Sequence, residues 1–293
     1  MMRADMTASP VLRHRATGTC LAAGGRQVAV ITGAGLGLGR ALSVELTRRG
    51  IHVAGIGRDP CHLAQTGDLC VPGQFTALRG DVSQPGPMRE LAAQVEAQVG
   101  PVSIVVNNAA IYRRQDFLGA VAEEVVDHVM VNTCGPINVT AAFMPGMLDR
   151  GRGRIINVSS FAGGNPLPGS LGYTVSKAGA RVFSQALTVE LARRMPHITV
   201  TEWIPGIMAT RTGRPSGIPP ETVAAWGATL ALDDSPDLHG AIFLCDAEML
   251  PPRSLRRRVK DALLLKPSRR PRILAPAMAP APALADPRTG DPE

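Results

Sequence analysis

Residues 28–40 read VAVITGAGLGLGR, an apolar, β-branched run that ends in four glycines within seven residues. The run has the length and composition of a buried strand, and Leu38, Ala41, Leu42 and Leu46 then recur at helical spacing until Gly50 offers a stop. A glycine-rich turn between a strand and a helix is either a tight connection or a phosphate cradle. The first N–H groups of a helix have no partner within it, and its positive dipole end favours an anion. The GxGxxG spacing fails because position 38 is Leu38. GxxxGxG fits at Gly33, Gly37 and Gly39, preceded by Thr32, and no GK[ST] follows to make a P-loop.

Working outward, strands alternate with amphipathic helical stretches. IHVAGIG, QFTALRGD, VSIVVNN, GRIINVSS, HITVTEWIPG and GAIFLC read as further strands. Helical patterns fall on residues 87–100, about 121–149, about 173–195 and from about Pro220. Strict alternation implies parallel strands joined by right-handed crossovers: an α/β fold with a doubly wound, Rossmann-type parallel sheet in a single domain. Three segments are expected: a flexible N-terminal extension over residues 1–25, a dinucleotide-binding catalytic domain over 26–250, and a basic, then Pro/Ala-rich tail over 251–293. The tail composition cannot bury enough surface to remain ordered.

The net charge of +7 is unevenly placed. Residues 251–272 hold nine Arg or Lys against one Asp, and residues 273–293 hold one Arg against three acids, so the first 250 residues are nearly neutral. That argues against a nucleic-acid-binding domain. Five cysteines, Cys20, Cys61, Cys70, Cys134 and Cys245, form no CxxC pair, which indicates neither a disulfide framework nor a zinc site and fits a cytoplasmic setting. No run reaches the roughly 18 to 20 apolar residues of a membrane span, and the N-terminus lacks the apolar centre of a secretory signal.

A second constellation gives the glycines a context. YTVSK places Tyr173 and Lys177 four residues apart, on one face of a helix. Ser160 stands at the end of a strand and Asn132 on the preceding helix, with NNAA at residues 107–110 and PGIMAT at 205–210. This ordered set closely resembles the short-chain dehydrogenase/reductase family over about residues 26–250. The resemblance implies that Tyr173 is the general acid/base of a reversible hydride transfer and that Lys177 draws its phenol pKa down and holds the nicotinamide ribose. Ser160 would bind the substrate oxygen, and Asn132 would fix a water that passes protons to Lys177. Around the cofactor it implies Thr32, Gly33, Gly37, Leu38 and Gly39 in the glycine-rich turn, Asp81 and Val82 at the adenine, Asn107 and Ala109 at the ribose, and Pro205, Gly206 and Thr210 at the nicotinamide.

The end of the second strand bears on the cofactor. NAD-selective sites place an acid there to accept from the ribose 2′-hydroxyl. Here Gly57 is followed by Arg58, whose guanidinium suits a 2′-phosphate. NADP(H) is favoured, and NAD(H) stays possible because Asp59 is adjacent and Leu36 supplies no basic group. The substrate is a small carbonyl or alcohol (a ketone, a steroid-like alcohol or a β-ketoacyl thioester) in a pocket drawn from Phe161, Asn165, Leu167, Leu171, Tyr112, Trp203, Met208 and Arg211. Two departures from the family stand out: a short lid, RTGRPSGIP, and CDAEMLPP where a glycine pair commonly follows the last strand. They leave open a catalytically silent NADP(H)-binding sensor or scaffold. An apolar stripe in residues 180–192 predicts a homodimer or homotetramer. Residues 253–272 could form an amphipathic helix for an acidic partner, such as an anionic membrane surface or an acyl-carrier protein.

Overall fold

The computed structural model describes residues 27–114, 118, 122–250 and 270–274. The proposed extension over residues 1–25 and most of the tail lie outside the described residues. Among these residues, eight strands form one sheet: β1 (Val28–Thr32), β2 (His52–Gly57), β3 (Phe75–Arg79), β4 (Val102–Asn107), β5 (Gly153–Val158), β6 (Ile198–Ile204), β7 (Ile242–Leu244) and β8 (Ala247–Glu248). Their spatial order is β3-β2-β1-β4-β5-β6-β7-β8, with every pair parallel except β7 and β8. The order reverses between β1 and β4, which opens a crevice at the carboxyl ends of those strands.

The helices are α1 (Gly37–Arg48), α2 (Pro60–Leu69), α3 (Pro85–Gln98), α4 (Ala122–Val129), α5 (Gly135–Arg150), α6 (Leu171–Leu191) and α7 (Pro220–Leu232). The central strands read as continuous apolar runs because both faces are covered. Ile31, Ile104, Val106, Ile156 and Trp203 pack under α1 and α7. Val30, Val105, Ile155, Ile198 and Val200 pack under α3, α5 and the end of α6. Gly50 stops α1 as expected, with its N–H donating to Thr47 O (3.0 Å) and that of Ile51 to Leu46 O (3.0 Å).

Three features depart from the sequence reading. The helical region expected over about 121–149 runs without a gap from Ala122 to Arg150 but contains a π turn, Met130–Cys134, a rare geometry found mostly at functional sites. After β7 the chain reverses through Cys245 and Asp246 into the antiparallel β8, with Cys245 at φ 52°. Part of the tail expected to be mobile is docked. Ile273 bridges to Ala247, Leu274 is buried in the core beside α1 and α7, and Arg272 faces Asp233, Asp237 and Glu248 at 4.0, 3.4 and 3.8 Å. Composition alone misses this because one leucine and one arginine carry the docking.

Candidate active site

The glycine-rich turn is locked to the neighbouring strand by Thr32. Its buried hydroxyl accepts from the N–H groups of Asn108 and Ala109, each at 3.0 Å, while Asn108 Nδ2 donates to Thr32 O at 2.9 Å. Gly33 sits at φ 68°, which a side chain would disfavour. A Cβ on Gly39 would overlap the Gly33 carbonyl oxygen, so the turn can fold this tightly only without one. α1 begins at Gly37, and the Thr210 methyl stands across from it, 3.4 Å from where a Cβ would lie. Leu38 is buried in the core, so its main-chain N–H, not its side chain, is what it can offer a ligand.

Beside this turn a cleft is lined by Gly33, Gly57, Arg58, Asp81, Val82 and Ala109. All but Gly57 were expected at the dinucleotide, and a bare backbone flanked by one guanidinium and one carboxylate fits a phosphate-bearing adenosine. Asp59 is turned away, since its Oδ1 accepts from the N–H groups of Cys61 (2.8 Å) and His62 (3.3 Å) to cap α2. Asp81 does not cap α3; its Oδ1 holds the preceding turn through Ser83 N (2.9 Å) and Ser83 Oγ (2.8 Å). Asn107 departs from its expected place. Its buried amide donates to Thr140 Oγ1 (3.1 Å) and Asn157 Oδ1 (2.8 Å) within the sheet layer, away from the cleft lining.

The four expected catalytic residues converge where α6 passes the end of β5. Lys177 lies one turn after Tyr173, with Nζ 5.8 Å from the phenol ring centre and donating to Val158 O at 2.9 Å. Ser160, at the start of a short 3-10 turn (Phe161–Gly163), stands beside the Tyr173 phenol, its Oγ accepting from Ala162 N–H at 3.2 Å. Asn132 is 1% exposed in the π turn. Its Oδ1 accepts from Ile111 N–H (2.8 Å), and its Nδ2 donates to Ile111 O (2.9 Å) and to Ser176 Oγ (3.0 Å). Ser176 Oγ in turn donates to Tyr173 O at 2.8 Å. Asn132 therefore ties the segment after β4 to the helix that carries Tyr173 and Lys177. Tyr112 completes the wall, its ring edge-on to Tyr173 at 4.8 Å and its hydroxyl 3.2 Å from Ser170 Oγ.

Electrostatics correct one expectation. Lys177 does not bring the Tyr173 phenol below its ordinary range in this structure; burial pushes it up, with nearby Ser160 opposing the rise. The lysine itself is the more displaced group, with burial lowering it to about 8 while Glu202 pulls the other way. Desolvation disfavours the charged form of each, which raises an acid and lowers a base.

The model of the short chain dehydrogenase family matches residues 27–218. The chain belongs to the short-chain dehydrogenase family. Among the relatives of this short-chain dehydrogenase is the acetoacetyl-CoA reductase of Rhizobium meliloti, 35% identical over 190 residues, which cover 64% of this chain and 76% of the relative. The (3R)-3-hydroxyacyl-CoA dehydrogenase of Canis lupus familiaris is 36% identical over 62% of this chain and 74% of its own. The 3-oxoacyl-[acyl-carrier-protein] reductase of Haemophilus influenzae is 31% identical over 63% and 75%. A solved metagenomic short-chain oxidoreductase in complex with NADP superposes with a TM-score of 0.66 at 29% identity, covering 74% of this chain and 96% of that one.

Some candidate pocket residues are displaced. Trp203 is fully buried under α1 and α7, with Nε1 donating to Cys245 O at 2.9 Å, so it belongs to the core rather than to a substrate pocket. Phe161, Leu167, Leu171 and Tyr112 remain exposed around the end of α6 and the Ser160 turn. The short lid closes on itself: Met208 bridges to Ile218, and the N–H groups of Ala209 and Arg214 reach Ile218 O (2.9 Å) and Met208 O (3.1 Å). Ser176 and Glu202 escaped the sequence reading. Ser176 acts through contacts to the Asn132 amide and the Tyr173 carbonyl that no spacing reveals, and Glu202 looked like one polar position in a strand.

Proposed function

We propose that this short-chain dehydrogenase interconverts a carbonyl and a secondary alcohol with NADP(H), using Tyr173, Ser160, Lys177 and Asn132. The observation that carries the reading is the convergence of the Tyr173 phenol, Ser160 and the buried Lys177, whose Nζ lies 5.8 Å from the phenol ring centre, near a cleft built on the glycine-rich turn. The nicotinamide cofactor, when bound, supplies or accepts the hydride. Tyr173 gives its proton to the oxygen on which negative charge grows, and Ser160 donates a hydrogen bond to that oxygen. A phenol held above its ordinary pKa stays protonated at neutral pH and is available as the acid. Lys177 and the Pro205-Gly206-Thr210 segment would orient the nicotinamide end, and Asn132 keeps Tyr173 and Lys177 in register through Ile111 and Ser176.

Arg58 supports NADP(H) over NAD(H), since it is exposed at the cleft while the neighbouring acid is occupied in capping α2. The relative solved with NADP agrees. The acyl-thioester names of three relatives put a 3-oxoacyl thioester first among substrates. Val175, Val182 and Val189 leave an exposed stripe at seven-residue spacing along α6, suited to a second copy in a homodimer or homotetramer. No helix among the described residues is long and apolar enough to cross a membrane. A cytoplasmic setting and an acidic partner for residues 253–272 complete the reading; that segment, except Arg270 to Arg272, lies outside the described residues.

The test follows NADPH absorbance with 3-oxoacyl thioesters and simple ketones. Tyr173→Phe should reduce turnover by at least about 100-fold while NADPH still binds. Unchanged turnover would overturn the reading, and tight NADPH binding with no substrate oxidising it would favour the sensor.

A further inference from the structure

Strand alternation places Ile198, Val200 and Glu202 on the same face of β6, and the first two are core residues of the layer beneath α6. Glu202 is therefore a carboxylate where the pattern calls for an apolar side chain. It is 4% exposed. It also stands in a transverse row across the sheet, in register with Asn157 of β5, itself in register with Asn107 of β4. The two asparagines hydrogen-bond each other at 2.8 Å, and Asn157 Nδ2 donates to Ser184 of α6 at 2.8 Å. Glu202 is the one charged member of the row, and its Oε1, like Asn107 Oδ1, has no hydrogen-bond partner among the described residues. Its nearest ion partner is Arg181, one turn beyond Lys177, with Nε at 3.8 Å.

A buried carboxylate oxygen without a hydrogen bond is costly unless nearby cations compensate it. α6 brings Arg181 to within 3.8 Å, and Lys177, one turn earlier on the same side of α6, holds its Nζ at Val158 O, next to Asn157, the register partner of Glu202. We propose that Glu202 is a positioning residue of the hydride-transfer site, a buried countercharge that keeps Lys177 in its ammonium form and so able to hold the cofactor ribose. The proposal rests on the function proposed above only for the role of Lys177; the countercharge itself is a property of the folded apoprotein. Consistent with it, burial lowers Lys177 to about 8 even with Glu202 opposing the fall. Other ionisable groups around the pair are Tyr173 and Arg181 on α6, Tyr112 edge-on to Tyr173, and His239 before β7, whose Nε2 bonds Thr188 O at 2.8 Å. Only Arg181 and Lys177 among them are cations at neutral pH without perturbation, and Arg181 is 37% exposed, leaving Lys177 as the fully desolvated charge.

The experiment uses the full chain. Unfolding free energy is measured across pH 6 to 10.5 for four apoproteins: wild type, Lys177→Met, Glu202→Gln, and the double variant. The difference between each Lys177 protein and its Met partner reports the titration of Lys177 in the fold. With Gln at position 202 the midpoint should move to lower pH by about one unit. The pH at which NADPH affinity weakens, read from cofactor fluorescence, should move by the same amount, and Glu202→Asp should restore part of it. Glu202→Leu is the second variant, apolar like its neighbours on β6 and free of the buried amide, and it should shift both midpoints as Gln does. A midpoint unchanged in the folded Gln or Leu variant overturns the proposal, even if affinity drops uniformly at every pH. Absence of NADPH binding in the wild type would instead overturn the functional reading and leave the apoprotein titration to decide this one.

Discussion

Replacing Lys177 with Met should stabilise the apoprotein near neutral pH relative to its value at high pH, because the fold holds a charged lysine at a loss. Lys177 is 4% exposed, and burial lowers its pKa from 10.5 to about 8. That displacement corresponds to about 3 kcal/mol against the folded, protonated form. Below pH 8 both folded and unfolded chains carry the proton and the full penalty stands. Between pH 8 and 10.5 the unfolded chain binds more protons than the folded one, so the wild type gains stability as pH rises, by up to about 1.4 kcal/mol per pH unit. Above about 10.5 the penalty is gone. Met fills similar space and does not titrate. It forfeits the Nζ hydrogen bond to Val158 O (2.9 Å), about 1 kcal/mol, and leaves Glu202 facing Arg181 alone. Those losses offset part of the gain at neutral pH but leave the pH dependence of the difference to Lys177. Urea denaturation of both proteins from pH 6 to 10.5 should show the advantage of the variant falling by about 3 kcal/mol, mostly above pH 8. A difference that stays flat across that range would refute the buried-charge reasoning.

Arg58→Ala should weaken NADPH binding about tenfold through loss of a charge-assisted hydrogen bond at an exposed site, while leaving NADH binding unchanged; equal losses for both cofactors would place the 2′-phosphate elsewhere. Phe143→Ala removes a side chain that is 1% exposed beneath α5, and chemical denaturation should show a loss of about 3 to 5 kcal/mol. Val182→Glu puts a charge in the middle of the exposed α6 stripe, where Val182 is 62% exposed. Light scattering should then give a smaller assembly than wild type with an unchanged circular dichroism spectrum.

The strand alternation, the glycine spacing and the Tyr173–Lys177 interval are local patterns, and they were enough to indicate the architecture and to place Tyr173 and Lys177 together on α6. Periodicity located the central parallel strands because those are buried on both faces, and the i, i+4 spacing placed Tyr173 and Lys177 on one side of α6 because helix geometry permits nothing else. Folding decided what depends on distant segments meeting. The amide of Asn107 turns into the sheet because Thr140 and Asn157 wait there, 33 and 50 residues on. Trp203 is core because period two sends it to the face under α1 and α7, while its neighbour Glu202 faces α6. Asn132 sits in a π turn because its amide is held by Ile111 and Ser176. The protonation of Tyr173 and Lys177 is likewise tertiary: spacing brings a cation near a phenol, but the burial that raises one and lowers the other exists only after β5, β6 and α6 have packed together.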